Sequence, residues 1–94
     1  MKKTKINIGI VGLGRIGKMH AKNICQRLPL FNLKTIVDPA LDIDFTRNLE
    51  GVIISDNIES ILTDKTIGAV IVCSPTPTHY EIIKRCVMQK KHVF

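Results

Sequence analysis

The sequence has no tryptophan, one tyrosine and three phenylalanines, so aromatics supply only 4% of its residues. Single-stranded nucleic acids are held by aromatic platforms beside a basic groove, and no such interleaving occurs here. The 14 lysines and arginines outnumber 8 acids, for a net charge of +6, but they are scattered rather than gathered into one footprint. Lys2, Lys3 and Lys5 open the chain, Lys84, Arg85, Lys90 and Lys91 crowd its end, and the rest are mixed with acids. No nucleic-acid partner is expected; the charge reads as an aid to solubility and an attraction for an anionic ligand.

Cysteine is sparse as well. Cys25, Cys73 and Cys86 are odd in number, lack C-x-x-C spacing and have no neighbouring histidine cluster, which argues against a zinc site or a disulfide framework. They read as reduced, packed thiols in a reducing compartment, most simply a cytoplasm. A long apolar run is also missing: nothing approaches the roughly 20 residues of a membrane span. The opening Met1-Lys2-Lys3-Thr4-Lys5 has a faint likeness to a secretory leader, but Asn7, Gly9, Gly12 and Arg15 interrupt the stretch that follows. With 45% hydrophobic and 23% charged residues among 94, the composition is that of one folded domain, small for a doubly wound sheet.

What is present is a fingerprint in context. An apolar, strand-like stretch from Ile6 breaks into Gly12-Leu13-Gly14-Arg15-Ile16-Gly17, a helical pattern follows, and Asp38 ends a second apolar stretch. Strand before, helix after and an acid about 20 residues on are the conditions that make three glycines a dinucleotide-binding signature. Gly12 lets the chain turn off the strand, Gly14 keeps a Cβ away from the pyrophosphate, and Gly17 lets the helix lie close to the sheet. The pyrophosphate would meet the unpaired N–H groups around Arg15, Ile16 and Gly17, backed by the helix dipole. Asp38 can accept hydrogen bonds from an adenosine ribose while repelling a 2′-phosphate. Pro39 and Ala40 follow it, not an arginine, so NAD is expected rather than NADP. Asp38-Pro39 is also turn chemistry, and both roles can hold together.

The periodicity predicts strands over 5–11, 33–37, 52–55 and 67–73, with helices over 15–27 and 77–89. In the first helix Ile16, Met19 or His20, Ile24 and Leu28 would form the buried stripe, with Pro29 ending it. Residues 40–47 read as a short, poorly formed helix carrying Leu41, Ile43 and Phe45. Asp56-Asn57-Ile58-Glu59 has the spacing of a capping box, opening a helix with Ile58, Ile61 and Leu62 inward. The last helix would turn Ile82, Ile83, Cys86 and Val87 to the core, and His92, Val93 and Phe94 begin another strand. This alternation is α/β and implies a Rossmann-type doubly wound parallel sheet, truncated at its fifth strand, of order 3-2-1-4 with a nascent fifth outside the fourth. The ligand crevice would lie between strands one and four, where the Gly12 loop faces Ser74-Pro75-Thr76.

With Gly12 to Gly17, Asp38-Pro39 and Cys73-Ser74-Pro75-Thr76-Pro77-Thr78-His79-Tyr80 in place, the whole chain resembles the amino-terminal part of the glucose-fructose oxidoreductase and inositol dehydrogenase superfamily. Gly12-Leu13-Gly14-Arg15-Ile16-Gly17-Lys18-Met19-His20-Ala21-Lys22-Asn23 looks most like inositol 2-dehydrogenases. The resemblance implies that Ser74, Pro75, Thr76 and His79 contact the cofactor. Thr76 before Pro77 also has the form of a helix cap, and Thr78 with Glu81 that of a capping box; the residues alone do not choose. His20 reads as a helix-face residue near the loop.

The resemblance further implies an NAD-dependent oxidation of a cyclitol or sugar alcohol, using a lysine in a Glu-Lys-Pro run and a later Asp and His. None of these lies within the 94 residues, nor does a substrate domain. The first expectation is therefore an incomplete NAD-binding domain over 1–94, a fragment without catalytic competence alone. The alternative is a stand-alone nucleotide-binding or strand-exchange interaction module, a homo-oligomer formed through the exposed sheet edge. A methyltransferase using S-adenosylmethionine shares the glycine loop and acid, but the Ser74-Pro75-Thr76 loop and the resemblance count against it.

Overall fold

The computed structural model describes residues 5–27, 29–40 and 42–94. Lys2, Lys3, Leu28 and Leu41, invoked above, lie outside the described residues. Ten elements follow in order: β1 (Ile6–Val11), α1 (Arg15–Arg27), β2 (Phe31–Val37), α2 (Ile43–Thr46), β3 (Ile53–Ser55), α3 (Glu59–Leu62), β4 (Ile67–Val72), a 3-10 turn (Thr76–Thr78), α4 (His79–Met88) and β5 (His92–Val93). All strand pairings are parallel and the order is β3-β2-β1-β4-β5. This is the expected Rossmann-type α/β sheet, and its order reverses between β1 and β4.

Side-chain alternation along the strands feeds two cores. Ile8, Ile10, Leu33, Ile36 and Ala69 pack with Ala21 and Ile24 of α1 on one face. Val11, Val37 and Val70 pack with Ile61 and Leu62 of α3 and Cys86 of α4 on the other. Gly9 leaves room on that second face, since a Cβ there would sit 2.7 Å from Ile61 Cδ1. A register shift between Ile8 and Gly9 takes Lys34 out of the pairing and sets Thr35 beside Gly9. Thr35 is wholly buried and its hydroxyl has no partner among the described residues.

Three expectations need correction. In α1, Ile16 and Met19 face outward at 53% and 48% exposure, while Gly17, Ala21 and Ile24 are buried. The cause is Gly17, where a Cβ would come within 2.1 Å of the Gly12 carbonyl. Glycine at the point of closest approach sets the helix rotation, and a neighbour in sequence lies about 100° away around the axis. In α4, Cys86 is buried and Ile82 packs against it, but Ile83 and Val87 are exposed. Asp56 does not cap α3: Ile58 is its N-cap with no side-chain cap bond, and it is the Asn57 Oδ1 that accepts the Glu59 N–H at 2.9 Å.

Candidate functional site

At the end of β1 the chain is clamped from both sides. The Gly12 N–H donates to the Val37 carbonyl at 2.8 Å, and the Cys73 N–H donates to the Val11 carbonyl at 2.7 Å. Gly12 has φ +96°, and a Cβ there would lie 2.5 Å from the Ser74 nitrogen. Both backbone angle and space therefore require glycine. Gly14 is the opposite case: a Cβ there would meet nothing within 4 Å. Its bare edge faces a cavity of about 1050 Å³ that also touches Gly12, Asp38, Ser74, Pro75 and Thr76. A groove of this size matches those that hold extended small ligands.

Asp38 does more than the sequence implied. Its Oδ2 accepts the Leu13 N–H at 2.5 Å and its Oδ1 accepts the Ala40 N–H at 2.7 Å. The first bond fastens the glycine loop to the end of β2, and the second is the expected turn. Each carboxylate oxygen retains lone-pair capacity for another donor. The first helical bond of α1 runs from the Lys18 N–H to the Gly14 carbonyl at 2.9 Å. The N–H groups of Arg15, Ile16 and Gly17 thus precede any intrahelical acceptor, at the positive end of a 13-residue helix.

Across the groove, the loop after β4 is held by its own side chains. Ser74 Oγ and Thr78 Oγ1 are 2.7 Å apart, and Thr78 Oγ1 donates to the Pro75 carbonyl at 2.6 Å. The His79 Nε2–H donates to the Ser74 carbonyl at 2.5 Å. His79 therefore braces the loop from behind and is not in the cavity wall. Neither Thr76 nor Thr78 makes a side-chain cap bond. The 3-10 turn removes the need, because the His79 N–H already reaches the Thr76 carbonyl. Burial pushes the Cys73 thiol beside the loop above its ordinary value.

Of the ten residues singled out, the cavity wall contains Gly12, Gly14, Asp38, Ser74, Pro75 and Thr76. Arg15, Ile16 and Gly17 contribute backbone at the helix start, with the Ile16 side chain outward. His20 is half-buried on α1 and outside the wall. Sequence reasoning missed the far wall, formed by Asp56, Asn57 and Ile58 before α3 and by Thr78, Glu81, Ile82 and Arg85. The last four have the i, i+3, i+4, i+7 spacing of one helix face, which was a readable signal. Arg85 is ion-paired with Glu59. Lys18 of α1 pairs with Asp42 at 2.7 Å, holding that carboxyl below its usual range, and lies 5.7 Å over the Phe45 ring.

Among the described residues, no group of His, Cys, Asp and Glu could hold a metal ion, and no helix is long and apolar enough to cross a membrane. The site fits a dinucleotide on its own features: a glycine edge open to a groove, first-turn donors without acceptors, and a carboxylate at the end of the neighbouring strand.

Comparison with known proteins agrees. The oxidoreductase family with an NAD-binding Rossmann fold matches residues 6–94. An uncharacterized oxidoreductase, YrbE, of Bacillus subtilis is 38% identical over 92 residues, covering 96% of this chain and 27% of that protein. A myo-inositol 2-dehydrogenase of Thermotoga maritima is 33% identical over 91 residues, 95% of this chain and 27% of its own length. The scyllo-inositol dehydrogenase of Lactobacillus casei, solved with NAD(H) and scyllo-inositol, superimposes with TM-score 0.86 at 32% identity, over 97% of this chain and 27% of that one. The chain thus spans about a quarter of the length of the relatives it matches. It belongs to the oxidoreductase family with an NAD-binding Rossmann fold.

Proposed function

We propose that residues 1–94 are the cofactor domain of an inositol 2-dehydrogenase-like oxidoreductase, binding NAD and not turning over an alcohol by themselves. The observation that carries this reading is the contrast within the fingerprint: Gly12 and Gly17 are locked against backbone, while Gly14 alone faces open space at the groove. A plain tight turn has no need of that third arrangement. Bound NAD would supply the hydride acceptor. The part of this chain is to hold the pyrophosphate at the N–H groups of Arg15 to Gly17, accept the ribose hydroxyls at Asp38, and bring up the loop of Ser74, Pro75 and Thr76. His79 acts behind that loop. A cyclitol substrate is supported by the relatives' names, and a cytoplasmic setting by three free cysteines.

Calorimetric titration of the folded chain with NADH tests this directly, using NADPH as control. NADH should bind, and Asp38→Ala and Gly14→Val should each abolish binding while circular dichroism stays unchanged. NADH affinity that survives both substitutions would overturn the site.

A second reading, self-association at the sheet edge, is favoured by β5. That strand has two residues and, among the described residues, pairs with β4 alone. Beside it Phe94 is 76% exposed and Met88 70%, an edge and apolar patch suited to a partner. Light scattering should then find a dimer that Phe94→Lys dissociates; a monomer at high concentration overturns this reading.

A further inference from the structure

Sheet register sets a second carboxylate beside Asp38. β2 and β3 stay in register to their last pair, Val37 with Ser55, and the Asp38 N–H extends the ladder to the Ser55 carbonyl at 3.1 Å. The next residue along each strand is an aspartate. Asp38 and Asp56 therefore leave the sheet on adjacent chains, which run about 4.8 Å apart, and both line the groove.

Asp56 is spare for any local duty. The Asn57 Oδ1 takes the Glu59 N–H at the start of α3, and Ser55 Oγ accepts the Asn57 N–H at 3.0 Å and lies 2.7 Å from Ser60 Oγ. The exposed Asp56 carboxylate makes no hydrogen bond or ion pair among the described residues. Asp38, by contrast, already accepts two backbone N–H bonds, which offset part of its charge. Among the described residues the one cation in the groove wall, Arg85, is occupied by Glu59, and Glu81 adds another acid.

We infer that Asp56 is a second cofactor-selecting residue, excluding a dinucleotide with a phosphate on the adenosine ribose and acting alongside Asp38. The inference rests on the NAD-binding reading and deepens it: removing Asp38 alone leaves a full negative charge beside the ribose. The acid at the end of β2 is then insufficient to account for selectivity, and a loop on the neighbouring strand shares the task.

The test is the affinity for NADH and NADPH, which differ only in the 2′-phosphate, measured by calorimetry on the native chain, Asp56→Asn, Asp38→Ser and the double variant. Asp56→Asn should shift the NADPH-to-NADH affinity ratio about 5- to 20-fold toward NADPH, the size of one charge acting on a phosphate at short range in a wet groove. The gain should shrink in about 0.5 M salt, where such forces are screened within a few ångströms. Asp38→Ser should lose NADH without gaining NADPH, and the double variant should gain it. An NADPH-to-NADH ratio that Asp56→Asn leaves unchanged, or that Asp38→Ser alone shifts as far as the double variant, overturns the inference while NADH binding stands. A native chain that binds neither dinucleotide overturns the cofactor reading and this inference with it.

Discussion

The two ends of the sheet carry similar polar residues and use them in opposite ways. At the amino ends of the strands the groups are closed on one another. Lys34 pairs with Asp64 at 2.7 Å, Asn32 donates to Asn7, and the buried Lys91 donates to the carbonyls of Asp64 and Ile67 at 2.8 Å each. At the carboxyl ends, the Arg15 to Gly17 N–H groups precede any helical acceptor, Gly14 faces open space, and Asp56 has no partner among the described residues. A satisfied network stabilises, whereas donors and charges left over await a ligand. Satisfied groups thus gather at one end of the strands and the open groove at the other, the end where open α/β sheets take ligands.

The sharpest break of that contrast uses one substitution at two glycines. Gly17→Ala should cost about 3 kcal/mol or more in urea unfolding, because its Cβ meets the Gly12 carbonyl at 2.1 Å, and it should lose NADH as well. Gly14→Ala, with nothing within 4 Å, should keep its stability within about 0.5 kcal/mol and still weaken NADH at least about tenfold, about 1.4 kcal/mol. Equal losses of stability would erase the distinction.

At the closed edge, Lys91→Met should destabilise by about 2 kcal/mol, because the carbonyls of Asp64 and Ile67 both lose the buried Lys91 ammonium and Asp64 keeps the Ile67 N–H. Fully folded Lys91→Met should bind NADH as the native chain does. Loss of affinity without unfolding would mean the two edges are coupled.

Acid sharpens the same comparison. Hydrogen bonds from Lys34 and then Thr66 hold the Asp64 carboxyl down to about 2 from 3.8. A carboxyl lowered in the folded state adds stability above its unfolded value, and that stability drains away as pH falls from about 4 toward 2. Asp64→Asn should flatten the acid limb of the stability–pH curve in this window and leave the curve parallel above about pH 5. An unchanged acid limb would remove Asp64 from the account. The smallest effect is expected within the core: Thr35→Val removes an unpartnered buried hydroxyl at nearly constant shape and should stabilise by up to about 1 kcal/mol.

Much of the site was legible because it depends on local backbone chemistry. Gly12 turns the chain, Gly17 admits the helix and Asp38 ends a strand, and each duty is written in the spacing from residue to residue. The far wall was harder. Asp56 has the spacing of a cap, but Asn57 is one residue nearer to the Glu59 N–H and takes the bond. Ile16 and Met19 have helical periodicity, but periodicity sets the width of a stripe without setting which way it faces.

From residue order alone come the alternation of elements, the parallel sheet, the fingerprint and the acid beside it, all products of short-range sterics and apolar patterning. Folding in three dimensions adds what depends on distant partners: the rotation of α1 about Gly17, the Leu13 to Asp38 bond, the His79 brace behind Ser74, and the placing of Asp38 and Asp56 at the ends of neighbouring strands in one groove. Close packing and strand register bring together residues that no spacing along the chain could relate.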